Sequence, residues 1–237
     1  MRHVRPGPGR RAPWALRPRS GRQERGVGHL VGPGLLLVVS GPSGAGKDTV
    51  VRLLLERLGD MTYAVSATTR APRPGEVDGK DYHFLTRGAF EARIANDAFL
   101  EWREYAGNLY GTPRAFVEDS VARGRDILLK PEPNGALAIR RSHPRAVLTF
   151  LVPGDVDELS ARLRDRKTES ADEVAARLAT ARDEMAFIPE FDYLVVNERR
   201  TSEGALPAVD DLVAIVRAEK LRLHHYDPTT LRKYEPL

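Results

Sequence analysis

Cysteine is absent from this 237-residue chain, and long apolar runs are absent too. Without cysteine there can be no disulfide, no thiolate metal ligand and no cysteine nucleophile. The longest apolar run, residues 35–39, is far shorter than the ~18 residues that a membrane-spanning helix needs. We therefore expect one compact domain without a membrane span, and we expect it in the cytoplasm.

The net positive charge of the chain comes entirely from the first thirty residues. Residues 1–30 carry eight arginines and one acid, Glu24, which gives +7, so the rest carries −3 although the whole chain has +4. Arg, Pro and Gly dominate the segment and no apolar face recurs, which predicts a disordered basic extension. Three interpretations stay open: translation beginning near Val27 or Val31, a non-functional extension, or a basic arm that contacts RNA or phosphates. Nucleic acid is otherwise not an expected partner.

The sequence shows no pattern for two common kinds of catalytic site. The six histidines show no metal-ligand spacing, and no Ser/His/Asp constellation stands out. The pair His224-His225 lies in a C-terminal tail, residues 224–237, that carries no clear structural pattern. The chemistry must therefore be sought elsewhere.

Apolar runs and helical stripes alternate along the remaining chain. This alternation predicts an α/β fold with a mainly parallel sheet that is covered by helices on both faces. Two prolines keep residues 70–76 in an irregular loop, and the region around 66–115 is more antiparallel in character. The predicted strands are 35–39, 63–69, 81–86, 99–105, 126–129, 146–152 and 192–196; the predicted helices are 49–58, 88–97, 113–123, 155–166, 171–187 and 207–223.

The segment Gly-Pro-Ser-Gly-Ala-Gly-Lys, residues 41–47, joins the first strand to the first helix. Its glycines let backbone N–H groups converge on one point, where the helix N-terminus also favours an anion. An ordinary glycine-rich turn is the alternative, but the flanking strand and helix favour a phosphate loop (P-loop). The predicted ATP-binding residues here are Gly41, Pro42, Ser43, Gly44, Ala45, Gly46, Lys47, Asp48 and Thr49, with Lys47 reaching the β- and γ-phosphates.

The residue after the loop lysine is unusual for such a loop. A Ser or Thr hydroxyl normally binds Mg²⁺ at this position, whereas this chain has Asp48. A carboxylate is also a suitable oxygen ligand for Mg²⁺. We predict that Asp48 lies at the metal, directly or through water; the alternative is that Thr49 takes this role.

Several segments together resemble the guanylate kinase family. The resemblance covers about residues 35–222 with compatible order and spacing, and it depends on segments 65–84, 99–102, 107–113, 166–170 and 189–197. It implies a P-loop NTPase-type parallel sheet, a small nucleotide-monophosphate-binding insertion and a helical lid. The implied divisions are a domain at 33–223, with core 33–65 and 116–223, insertion about 66–115 and lid about 160–182. The implied activity is transfer of phosphate from MgATP to GMP or dGMP in purine metabolism.

The resemblance also implies which residues bind the two nucleotides. Arginines and tyrosines would hold the GMP phosphate, and a carboxylate at 101 would accept hydrogen bonds from guanine N1–H and the N2 amine. Taken singly, each residue could be a solvated charge or a core aromatic; their joint register favours the site. The implied GMP-binding residues are Ser66, Arg70, Arg73, Tyr82, Glu101, Tyr110, Thr112 and Glu132; Asn197 would contact adenine, and Arg162, Arg166 and Arg177 would close over the ATP phosphates and act with Lys47 in catalysis.

One position departs from the family's pattern. Relatives commonly carry an acid directly after the strand at 126–129 and another acid two residues later, whereas this chain has Lys130 and Glu132. Two explanations stay open. Either Asp48 compensates for the lost acid, or Lys130 faces phosphate as an additional clamp.

Two other functions remain as alternatives. A P-loop kinase of another phosphate acceptor, such as a ribose bisphosphate, can carry Asp after the loop lysine, but it should not need the set of Arg70, Arg73, Tyr82 and Glu101. A non-catalytic guanylate-kinase-like binding module tends to lose the loop lysine, which is present here as Lys47.

Overall fold

The structure is a computed structural model that describes residues 33–105, 107–154, 171–198, 203–223 and 232. In the helix that begins at Ala171, the described side chains are those from Leu178 onward. Several predictions therefore lie outside the described residues: the extension 1–30, the helix 155–166, the tail 224–237 apart from residue 232, and Arg162, Arg166 and the side chain of Arg177. No helix among the described residues is both long and apolar enough to cross a membrane.

Nine strands form two sheets in the described part of the chain. All strands of the larger sheet run parallel, in the order β2-β7-β1-β8-β9, and the smaller sheet has the order β4-β3-β6-β5. The bounds are β1 Leu36–Ser40, β2 Thr62–Tyr63, β3 Ala67–Thr68, β4 His83–Phe84, β5 Phe99–Tyr105, β6 Asn108–Pro113, β7 Ile127–Leu129, β8 Val147–Pro153 and β9 Tyr193–Asn197. The predicted parallel sheet is thus confirmed.

Helices lie on both faces of the larger sheet. Strand β1 explains how, since its successive side chains point to opposite faces. Leu37 and Val39 join a core with α1 and α6, while Leu36 and Val38 join a second core with α3 and α4. The helix bounds are α1 Lys47–Leu58, α2 Arg87–Ala95, α3 Arg114–Ala122, α4 Pro133–Ser142, α5 Ala171–Met185 and α6 Leu206–Lys220, with a 3₁₀ turn at Ile188–Glu190.

The smaller sheet lies between β2 and α3 in the chain and has a core of its own. Strands β5 and β6 are antiparallel, β3 is antiparallel to β6, and β3 and β4 are parallel. Phe90 of α2 stacks on Phe99 at a centroid distance of 4.3 Å, and Ala67 and Leu109 complete this cluster. The smaller sheet is therefore packed around a core separate from the two cores of the larger sheet.

The single strand predicted at 63–69 is wrong. The chain pairs with β7 at Thr62–Tyr63, donates from Ala64 N to Leu128 O (3.0 Å), and then leaves the first sheet. It joins the second sheet at Ala67–Thr68, opposite β6. Residues suited to a strand continue through the change of partner, so the sequence shows no boundary there.

Helix α4 was not predicted, because Pro131 and Pro133 indicate a loop. Pro133 is the first residue of the helix. At this position a missing N–H costs nothing, since the first N–H groups of a helix have no intrahelical acceptor. The helix carries Gly135 toward the smaller sheet, where it becomes part of the site.

Candidate active site

The phosphate loop has the conformation that its glycines permit. Gly41, Gly44 and Gly46 have φ of 142°, 90° and 87°, values that other residues rarely adopt. A Cβ on Gly41 would lie 2.1 Å from Leu151 O of the neighbouring strand β8. The glycines therefore allow both the turn and its close approach to the sheet, and α1 begins directly behind it.

Lys47 is the first residue of α1, and its ammonium group lies inside the loop. It donates to Gly41 O at 2.5 Å and to Pro42 O at 2.9 Å. Burial lowers the pKa of Lys47 to about 8, against the opposing influence of the acids Glu184 and Glu132. A buried cation on a helix N-terminus is a strong attractor for a phosphate group.

Asp48 and Lys130 meet. Lys130 Nζ donates to Asp48 Oδ1 and forms an ion pair between the first turn of α1 and the end of β7. The Asp48 side chain is 83% exposed, whereas that of Lys130 is 23% exposed. Burial acts to lower the pKa of Lys130, but Tyr63 and Asp48 outweigh it and the pKa is raised, so Lys130 stays charged.

Two buried side chains support the loop from behind. Asn197, at the end of β9 and only 1% exposed, donates from Nδ2 to Ala45 O at 2.8 Å. Glu184 of α5 accepts a hydrogen bond from Ser43 N at 3.2 Å, and burial raises the pKa of its carboxyl. The Asn197 amide is thus used to hold the loop here, and its predicted contact with adenine stays a prediction.

The phosphate loop and the smaller sheet share one cleft of about 380 Å³. This cleft unites predicted residues that are far apart in the chain. It is lined by Ser43, Gly44, Gly46, Lys47, Asp48, Thr49, Ser66, Tyr82, Glu101, Arg103, Tyr105, Tyr110, Gly111, Lys130, Pro131 and Glu132. A bound molecule here would touch the phosphate loop at one end and the smaller sheet at the other.

Glu101 of β5 is a nearly enclosed carboxylate in this cleft. Its Oε1 accepts a hydrogen bond from Thr112 Oγ1 at 2.6 Å on the paired strand β6. Burial raises the pKa of Glu101, although Thr112 and Arg103 oppose the shift. A Cβ on Gly135 of α4 would lie 2.9 Å from Glu101 Oε2, so the glycine leaves the carboxylate its space. Such a carboxylate is suited to reading paired N–H donors.

Arg70 is held beside two aromatic rings. Its Nη2 donates to both carboxylate oxygens of Glu76, at 2.8 and 3.0 Å, and the guanidinium lies 5.5 Å from the centroid of Tyr82. Tyr82 in turn meets Tyr110 edge to face at 6.0 Å. Glu76 also accepts from Arg73 N at 2.7 Å, so one acid fixes the loop that carries both arginines.

Arg73 lies in the exposed part of that loop, and neither Arg70 nor Arg73 lines the cleft described above. The structure therefore brings Ser66, Tyr82, Glu101, Tyr110 and Glu132 together with the phosphate loop in the cleft. Thr112 is buried and does not line the cleft, but it donates a hydrogen bond to Glu101. The two arginines lie outside the cleft lining.

Two residues of the cleft were missed from the sequence although a signal for them exists. Arg103 and Tyr105 follow Glu101 at intervals of two on β5, and all three line the cleft. Arg103 pairs with Glu132 and lies over the ring of Tyr105 at 5.0 Å. Glu76, Glu184 and Gly135 were also missed. Glu184 has no local signal, because it reaches Ser43 from 141 residues away.

Comparison with known proteins gives a consistent result. A family model described as guanylate kinase matches residues 34–213. The chain is 47% identical over 191 residues to a guanylate kinase of Desulfitobacterium hafniense, covering 80% of this chain and 92% of the relative. It is 52% identical over 183 residues to one of Rubrobacter xylanophilus, covering 76% and 96% respectively.

A solved structure is also similar. The crystal structure of guanylate kinase from Anaplasma phagocytophilum has a TM-score of 0.72 and 31% identity, and the match covers 88% of this chain and all of that one. Family match, relatives and fold agree with the cleft's combination of phosphate loop and enclosed carboxylate. This chain belongs to the guanylate kinase family.

Proposed function

We propose that the chain transfers the γ-phosphoryl group of MgATP to GMP or dGMP and releases ADP and GDP or dGDP, as a step of purine nucleotide metabolism in the cytoplasm. The observation that carries the proposal is that Lys47 of the phosphate loop and the enclosed carboxylate of Glu101 line the same cleft. If the ATP phosphates bind at the Lys47 end of the cleft and guanine binds at the Glu101 end, the γ-phosphate of ATP and the phosphate of GMP would lie close together.

Guanine recognition is assigned to Glu101, with Ser66 and Thr112 completing the contacts. The N1–H and the N2 amine of guanine are two adjacent hydrogen-bond donors, and each can donate a hydrogen bond to one oxygen of a carboxylate. Adenine has no such pair of donors, so the carboxylate of Glu101 would lose both hydrogen bonds to the base. A site of this kind rejects the wrong base strongly.

The GMP phosphate is assigned to Arg70, Arg73, Tyr82 and Tyr110. Two guanidinium groups and two phenol hydroxyls can donate to one dianionic phosphate. In the structure Glu76 orients Arg70 beside Tyr82, which supports this grouping. Glu132 lines the same cleft and forms an ion pair with Arg103.

The residues present fit Mg²⁺ as it is usually bound with nucleotides. Mg²⁺ takes one or two carboxylates together with substrate phosphates and water. Asp48 supplies such a carboxylate in the cleft, and the described residues contain no cluster of three or more metal-binding side chains that would form a cage. When bound, Mg²⁺ would neutralise phosphate charge.

Phosphoryl transfer here needs placement and positive charge rather than a base. The nucleophile is a GMP phosphate oxygen, which is anionic near neutrality because its second pKa is about 6. Lys47 neutralises charge on the transferring group, and the two ends of the cleft hold the reactants in line. Arg162, Arg166 and Arg177 are proposed to add charge when the lid closes and excludes water.

A steric change tests the assignment of Glu101. In Gly135→Ala, the new Cβ would press on Glu101 Oε2 and displace the carboxylate. We expect the KM for GMP to rise about 10- to 100-fold, the cost of one or two weakened hydrogen bonds to a charged group. The KM for ATP should change little.

Gly88→Ala in α2 is the matched control, because a Cβ there meets no atom within 4 Å. Steady-state kinetics with each substrate varied in turn gives the measurement. An unchanged KM for GMP in Gly135→Ala would contradict the placement of guanine against Glu101.

Asp48→Asn tests the metal position. The amide keeps the shape of the side chain but loses the charge that favours Mg²⁺, so we expect the Mg²⁺ concentration for half-maximal rate to rise about tenfold. Asp60→Asn, an exposed aspartate just beyond α1, is the control. The assignment fails if Mg²⁺ titrations of the two variants coincide.

The activity itself is tested with purified full-length protein, MgATP and a panel of acceptors: GMP, dGMP, AMP, UMP and a ribose bisphosphate. ADP should form with GMP and dGMP. Formation of ADP only with the ribose bisphosphate would establish the alternative kinase. Nucleotide binding without turnover of any acceptor would indicate a binding module, and no ADP with GMP refutes the proposal.

A further inference from the structure

Lys130 and Asp48 are 82 residues apart, yet they form an ion pair at the mouth of the phosphate loop. Asp48 follows the loop lysine at the start of α1. Lys130 directly follows β7, which pairs in parallel with β1 in the larger sheet, so both residues lie at the same edge. Both line the cleft.

These two positions normally hold the metal in P-loop enzymes. A Ser or Thr after the loop lysine and an acid on a neighbouring strand bind Mg²⁺ between them. In this chain the helix position carries the acid, Asp48, and the position after β7 carries a cation, Lys130. One carboxylate is thus retained, but it lies at the helix position instead of the position after the strand. Lys130 adds a fixed positive charge at the position after the strand.

Lys130 is the better anchored member of the pair. Its side chain is 23% exposed, while that of Asp48 is 83% exposed. Its ammonium group also lies close enough to Lys47 to affect the latter electrostatically. The phosphate end of the cleft therefore contains two ammonium groups, those of Lys47 and Lys130.

We propose that Lys130 is a phosphate-contacting residue, which pairs with Asp48 before the nucleotide binds and contacts the ATP phosphates once the nucleotide is bound. The proposal rests on the function proposed above, namely that the cleft binds ATP. Lys130 would supply part of the positive charge that Mg²⁺ supplies in P-loop enzymes with a hydroxyl and an acid at these positions. The affinity of this chain for ATP should consequently depend less on Mg²⁺ than the affinity of those enzymes does.

Equilibrium binding of ATP without turnover tests this directly. Calorimetric titrations in EDTA and in excess Mg²⁺ would compare the wild type with Lys130→Met. We expect metal-free affinity to fall about 10- to 100-fold in the variant, the usual value of a contact between charged groups. In excess Mg²⁺ the loss should be less than about fivefold, since the metal then neutralises the phosphates.

Lys80→Met is the control, because Lys80 is exposed and does not line the cleft. It should bind ATP like the wild type in both buffers. Asp48→Ser gives a second test that keeps Lys130 and removes a negative charge beside the phosphates. Its metal-free affinity should equal or exceed that of the wild type.

The double variant Asp48→Ser/Lys130→Asp restores a hydroxyl and an acid. It should bind ATP with Mg²⁺ but lose metal-free binding. The inference is overturned if Lys130→Met loses affinity equally in both buffers, if its metal-free affinity stays within twofold of the wild type, or if Asp48→Ser weakens metal-free binding tenfold. Failure of the wild type to bind MgATP at all would instead overturn the proposed function.

Discussion

Replacing Lys47 by methionine is expected to lower kcat for GMP phosphorylation about 1,000-fold, the usual effect of losing one well-placed charge at a transferring group. The ammonium group lies among the loop carbonyls at the start of α1, at the phosphate end of the cleft. Methionine retains much of the apolar stem and removes only the charge. Lys80→Met again serves as the control and should retain the wild-type kcat.

The same variant should alter how stability depends on pH. Burial lowers the pKa of Lys47 from 10.5 to about 8 in the folded protein. Between these values the unfolded chain holds more protons than the folded one, so the free energy of unfolding rises with pH. The gain from this group across that window is about 3 kcal/mol, because each pKa unit corresponds to about 1.4 kcal/mol.

Urea unfolding of ligand-free protein at pH 7 and pH 10 measures this contribution. The wild type should gain stability relative to Lys47→Met as the pH rises, and the variant should lack that gain. Parallel pH profiles would mean that the ammonium group is not desolvated in the ligand-free protein. A kcat within tenfold of the wild type would separately contradict its catalytic role.

Local signals made the phosphate end of the site predictable. The apolar run at 35–39, the glycines behind it and the stripe of α1 lie within 25 residues, and each has a physical reason that does not depend on distant contacts. The larger sheet followed from the same kind of pattern. Its three central strands, β7, β1 and β8, are buried on both faces, and they are therefore short, nearly continuous apolar runs.

Contacts between distant segments were not predictable in this way. The sequence offered compensation by Asp48 as one explanation for the acid that Lys130 replaces, but only the fold, in which β7 pairs with β1, shows that the two residues meet. Likewise Glu184 reaches the loop from α5, and Gly135 matters only because α4 packs against Glu101. Whether a residue belongs to the site depends in each case on its position in the folded structure. The periodicity of the sequence does not encode that position.

Glu101→Gln is the second change with a large expected effect. Glutamine offers guanine one acceptor and one donor, so one guanine N–H would face another N–H inside an enclosed site. Losing one charge-assisted bond and leaving a second donor unpaired costs about 4 kcal/mol, which corresponds to a fall of about 1,000-fold in kcat/KM for GMP. ATP affinity should change less than about twofold, because the phosphate loop is untouched.

Glu104→Gln provides a matched control on the same strand, since its side chain is 51% exposed. It should retain wild-type selectivity among GMP, AMP and UMP. The ligand-free Glu101→Gln variant should be at least as stable as the wild type at pH 7. Burial raises the pKa of Glu101, so the ionised form is disfavoured in the folded state, and this penalty is fully present above the raised pKa.

The pH dependence of GMP binding gives a separate test of the same carboxylate. As pH falls through the raised pKa of Glu101, protonation replaces an acceptor with a donor, and the KM for GMP should rise. The phosphate of GMP also gains a proton in that range, so the informative quantity is the KM for GMP of Glu101→Gln divided by that of the wild type. This ratio should approach 1 toward acid pH, because protonation gives the wild-type carboxyl the same single acceptor and single donor that glutamine has at every pH.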